Sequence, residues 1–145
     1  MTNYKPKQPT QMNQQNLQTK YNTNSVWEDL VISILSVNQY TLSKTYANIE
    51  SMREIGLFNP ENLKQWDIQE MNQRLRQGGC ERGSFMTNLF AERLTALGIL
   101  IANQGINNCE KILSSRDKKL ITDFLMPVKG IGPKVIQNFF LLQEL

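Results

Sequence analysis

The run Val128-Lys129-Gly130-Ile131-Gly132-Pro133-Lys134 joins two stretches with helical spacing, and its residue types suit the capture of an anion. Gly130 and Gly132 permit positive φ and close approach of the backbone, Ile131 can plug the gap between the flanking helices, and Pro133 suits a first helical position. The backbone N–H groups of such a hairpin and the positive end of the second helix together make a site for a phosphate. Lys129 and Lys134 flank the turn and fit phosphate contact, or stand as solvated surface lysines. An ordinary tight turn between two core helices is the plain alternative. The full pattern of apolar-Lys-Gly-Ile-Gly-Pro-Lys between two apolar helices is nevertheless far more specific than a pair of glycines.

Composition removes several other chemistries. The chain has no histidine, which excludes histidine-based triads, imidazole-ligated zinc and a histidine pH switch. Cys80 and Cys109 form no CxxC pattern, so neither a disulfide scaffold nor an iron–sulfur cluster is expected and no cofactor is assigned; sparse cysteine points to a reducing, cytoplasmic setting. The net charge of +3 sits entirely at one end, because residues 1–24 hold Lys5, Lys7 and Lys20 and no acid. The remaining chain balances 13 basic against 13 acidic residues. Any case for nucleic acid therefore rests on local geometry and not on a basic field.

The elements that must position the hairpin are helical throughout. Residues 1–24 contain five glutamines and five asparagines with few large apolar side chains, and are expected to form a disordered arm ahead of a helical domain over 25–145. No signal peptide is expected, and the most apolar stretch, residues 26–37, is too short and carries Glu28 and Asp29, so no membrane span is expected. Ser25 and Glu28 have the spacing of a capping box, and Trp27, Leu30, Val31, Ile34 and Leu35 then form the stripe of one amphipathic helix. A second helix is expected from Thr41 to an end at Gly56, and a short third opens at Asn59-Pro60. Asp67 and Glu70 cap a fourth that stops at Gly78-Gly79. Another begins near Ser84, with Met86, Leu89, Phe90, Leu94, Leu97 and Ile101 inward. Segments 107–114, 117–126 and 133–143 complete the set, which reads as an all-α bundle of six to eight short helices containing a helix-hairpin-helix.

With the hairpin in that order of parts, the chain resembles the helix-hairpin-helix DNA glycosylases, the endonuclease III superfamily, over about residues 25–145. Trp27-Glu28-Asp29-Leu30-Val31-Ile32-Ser33-Ile34-Leu35-Ser36 looks like the family's first core helix. Leu57-Phe58-Asn59-Pro60 and then Gly78-Gly79-Cys80-Glu81-Arg82-Gly83 before a long helix follow the same sequence of elements. The resemblance implies removal of damaged bases from double-stranded DNA in base excision repair, on a nucleoid-associated protein of the cytoplasm. It places Lys134 where bifunctional members carry a nucleophilic lysine. There the positive helix terminus and Lys129 disfavour an ammonium and favour a free amine able to form a Schiff base, the basis of AP lyase activity. A solvent-facing lysine that binds only phosphate is equally open.

The resemblance also implies a polar residue near the end of the first helix that fills the gap left by an extruded base, a role that falls loosely on Asn38 or Gln39. Exposure without such a role is the plain reading of Gln39. Arg82 in the turn after Gly79 is a candidate to touch phosphate or to stack. The family's catalytic aspartate, on its usual spacing, falls beyond Leu145, as do the segments of a second lobe. Asp123 and Glu144 are not placed to replace that aspartate, Asp123 being read as a surface cap or ion pair and Glu144 as a frayed end. A non-catalytic DNA-binding module is the alternative, and a helical interaction protein with a merely structural turn is the third reading.

Overall fold

In the computed structural model of the protein the described residues are 21–37 and 40–145; the expected arm over residues 1–20, and Asn38 and Gln39, lie outside them. Nine helices and no strand occur among the described residues: α1 Val26–Leu35, α2 Leu42–Tyr46, α3 Ile49–Glu54, α4 Pro60–Gln65, α5 Ile68–Gln77, α6 Gly83–Gln104, α7 Ile106–Leu113, α8 Lys118–Leu125 and α9 Pro133–Gln143. The fold is all-α. The count exceeds the expected six to eight because the stretch from residue 42 to 56 is not one helix. The Asn48 N–H closes back on the Thr45 carbonyl at 3.0 Å, one residue short of helical spacing, and the chain breaks there into α2 and α3.

The helix ends follow from local chemistry. Ser25, Asn59, Asp67 and Asp117 each accept a backbone N–H from the first turn that follows them, at 2.9 to 3.2 Å. Gly79 ends α5 at φ 79°, and the Cys80 N–H returns to the Leu75 carbonyl at 2.8 Å, the six-residue closure that a left-handed residue allows.

Helix α1 departs from the amphipathic expectation, since all ten of its residues are buried, Glu28 and Asp29 included. Both carboxylates are satisfied inside the fold. Glu28 accepts the Asn24 N–H at 2.8 Å and two nitrogens of Arg53 at 2.8 and 2.9 Å, while Asp29 accepts the Thr23 hydroxyl at 2.6 Å and the Gln143 amide. Residues 21–24, assigned from composition to the arm, are thereby packed onto the body. Tyr21 also stands edge-on to Tyr46 at 5.1 Å, and Thr23 is buried.

Helix α6 is the other long axis, lying against α1, α4, α5 and α7. At 22 residues it is long and apolar enough to cross a membrane by length and composition, so the longest apolar segment is α6 and not residues 26–37. Its apolar character serves the core here: Phe90, Ala91, Leu94, Leu97, Gly98 and Ile101 are buried, and the stripe is turned so that Met86 and Leu89 are only half-buried. Gly98 is the point of closest approach, because a Cβ there would stand 2.0 Å from the Leu63 carbonyl oxygen of α4.

Candidate nucleic-acid interface

The hairpin joins α8 to α9 and is held at one end of the bundle by α9 itself. Helix α9 runs antiparallel to α1: Asn138 donates its amide to the Ser36 carbonyl at 2.8 Å, and Gln143 donates to Asp29 seven residues earlier in α1. The start of α9 therefore lies at the C-terminal end of α1. The interior of this turn is apolar. Ile131 is 4% exposed and Val128 is buried, and the Ile131 N–H bonds the Val128 carbonyl at 3.0 Å, closing the turn.

The two glycines do different work. Gly130 sits at φ 88°, a left-handed backbone that glycine adopts without strain. Gly132 is extended at φ −119° and is the N-cap of α9, so its expected positive φ is not found. Among the described residues a Cβ on Gly132 would meet no atom within 4 Å, and no side chain caps the first amides of α9. Pro133 takes the first helical position, and among the described residues nothing lies within 4 Å of the space beside the glycine. Lys129 and Lys134 are both exposed, and among the described residues neither forms an ion pair.

The remaining candidates separate. Gln39, with Asn38, lies outside the described residues. Arg82, expected to touch phosphate or to stack, is half-buried and engaged by the protein itself. Its guanidinium donates to the Leu35 carbonyl at 2.7 Å, where α1 ends, reaches Thr45 Oγ1 at 3.4 Å and lies 3.9 Å from the centre of the Tyr40 ring. Stacking was the other option named for it, and the stack is made on the protein's own tyrosine. Burial pulls its pKa below the ordinary arginine value.

Asp123 and Glu144, weighed against the aspartate that the resemblance implies, are both engaged among the described residues. Asp123 is ion-paired to Lys119 at 3.0 Å on the surface of α8, and Asp29 is engaged inside the core. Glu144 is not a frayed end: it caps α9 in a left-handed conformation at φ 59°, and Arg116 donates to the carbonyls of Gln143 and Glu144 at 3.2 and 3.3 Å.

Two features beside the hairpin have no signature in the sequence. Arg93, ten residues into α6, lies across Gly130. An apolar groove of about 440 Å³ lies between α8 and α9, with Met126, Pro133, Ile136 and Phe140 in its lining. Comparison with known proteins returns nothing: no family model, no curated protein and no solved structure matches this chain.

Proposed function

We propose that this protein binds double-stranded DNA through the hairpin of residues 128–134, as a domain of the base-excision glycosylase type. The observation that carries the reading is the combination at α9's start: uncapped first amides, an unobstructed Gly132 and two exposed lysines without ion-pair partners among the described residues. Free amides at a helix N-terminus favour an anion, and a glycine with no neighbour among the described residues lets a phosphate come to backbone distance. Such a grip fixes the duplex backbone and reads no sequence. Lys129 and Lys134 add charge that makes the affinity salt-dependent.

The reaction that belongs to this reading is hydrolysis of the N-glycosidic bond of a damaged base, with strand cleavage at the abasic site through Lys134. In the cleavage step the lysine amine adds to C1′ of the open sugar and water leaves to give a Schiff base. Loss of a C2′ proton then expels the 3′ phosphate. The exposure of Lys134, which leaves it accessible to the sugar, supports this step. A binding module without chemistry is favoured by a different observation, the engagement of Asp123 and Asp29 elsewhere.

Borohydride trapping on a duplex containing one abasic site separates the two, with Lys134→Ala beside the wild type. A covalent adduct lost in the variant is the result expected of an enzyme. Salt-sensitive binding with no adduct would identify the module, and affinity independent of salt would overturn the DNA reading altogether.

A further inference from the structure

We infer that Arg93 is a third phosphate-binding cation of the hairpin face, and that Gly130 carries no side chain so that Arg93 can lie there. This rests on the hairpin being a DNA grip. A Cβ on Gly130 would stand 2.4 Å from Cγ, 2.9 Å from Cδ and 3.0 Å from Nε of Arg93, so the arginine stem crosses directly over the glycine. The left-handed φ of Gly130 already favours glycine; the stem above it is an independent second reason. Gly130 itself is exposed, which brings the guanidinium to the surface at the turn between Lys129 and Ile131.

The hydrogen bonding of the arginines singles Arg93 out. Arg53, Arg74 and Arg76 are ion-paired to Glu28, Glu70 and Glu81. Arg82 donates to the Leu35 carbonyl and Arg116 to the end of α9. Arg93 alone donates to no acceptor among the described residues, although its stem is half-buried. Its neighbour Glu92 takes a long hydrogen bond from Asn88 at 3.4 Å, and the nearest aromatic face, Phe90, is 5.9 Å from the guanidinium. A guanidinium has five N–H donors in a planar fork that matches two oxygens of one phosphate. With the stem packed over Gly130, that fork is held beside the turn that carries Lys129, at little further cost in side-chain entropy. Phosphate oxygens, and not base edges, are the partners that suit a cation held against the backbone of a hairpin.

The test is the salt dependence of duplex affinity, measured by fluorescence anisotropy on the full chain for wild type, Arg93→Met, Arg93→Lys and Lys134→Ala. Methionine keeps most of the stem's packing and removes the charge. Arg93→Met is expected to flatten the slope of log affinity against log salt by about 0.9, the share of one phosphate, and Arg93→Lys to restore it. An unchanged slope in Arg93→Met beside a flattened one in Lys134→Ala would overturn the inference and leave the DNA reading standing. Equal flattening in the methionine and lysine variants would also overturn it, since a structural role ignores charge. Salt-independent binding by the wild type would overturn both.

Discussion

Replacing Gly98 by alanine sets two physical effects against each other. Alanine is the better helix former by about 1 kcal/mol in a helix interior, so on propensity alone Gly98→Ala stabilises α6. The new Cβ, however, would lie 2.0 Å from the Leu63 carbonyl oxygen, 2.9 Å from its carbon and 3.2 Å from the Lys64 Cα. A relaxed carbon–oxygen contact is about 3.3 Å or more. The backbone of α4 would thus retreat by roughly 1.3 Å, and backbone cannot turn aside as a flexible side chain does. Overpacking of this kind costs about 3 kcal/mol, the upper end of its usual range, because every obstructing atom is main chain and the buried Leu63 moves with it. The balance is a loss of about 2 kcal/mol. Urea denaturation followed by far-ultraviolet circular dichroism reads this as a midpoint lower by about 1 M for a slope near 2 kcal/mol per molar. Ile99→Ala on the neighbouring exposed position serves as the control, expected within about 0.5 kcal/mol of wild type. A Gly98→Ala protein as stable as the wild type, or more so, would refute the claim that α4 and α6 touch through this glycine.

Two further substitutions address the site's support. Arg82→Met is expected to lower stability by about 1–3 kcal/mol in thermal or urea unfolding, because the Leu35 carbonyl loses a charged donor and Tyr40 its partner, while the salt slope of DNA affinity stays that of the wild type. A flattened slope would mean that Arg82 contacts phosphate after all. Burial pushes the Cys80 thiol from its ordinary 9.0 up to about 11, with the Arg82 guanidinium pulling weakly the other way. The unfolded chain therefore gives up this proton first. The thiol's contribution is complete below pH 9 and is lost between about pH 9 and 11, a decline of about 2–3 kcal/mol. Unfolding midpoints measured across that window under reducing conditions should fall more steeply for wild type than for Cys80→Ala; parallel curves would refute the assignment.

What the sequence made legible was local. Caps such as Ser25 and Asp67, the stop at Gly78-Gly79 and the turn with its buried Ile131 all depend on residues within a few positions of one another, and spacing alone identifies them. What it hid depends on partners far along the chain. Glu28 and Asp29 look like the polar face of a surface helix until Arg53 and Gln143 are brought to them from 25 and 114 residues away. Arg82 looks exposed in its turn until the end of α1 arrives beside it, and Arg93 is one charge on a long helix until Gly130 is folded beneath it. The break between α2 and α3 was missed for a different reason: apolar periodicity continues across Ala47 and Asn48, and only the tightened backbone bond divides it.

The two amide bonds between α9 and α1 act together as a mechanical key. Asn138 and Gln143 are five residues apart, about 7.5 Å along the helix axis, and each enters a single acceptor on α1. Sliding α9 by one turn, about 5.4 Å, would withdraw both hydrogen bonds at once. Helix α9 consequently has one axial setting instead of a ladder of neighbouring ones. The hairpin at its head is a fixture whose height above the end of α1 is indexed from within the core, and a load applied there is borne by the turn's own torsions before it can travel down the helix.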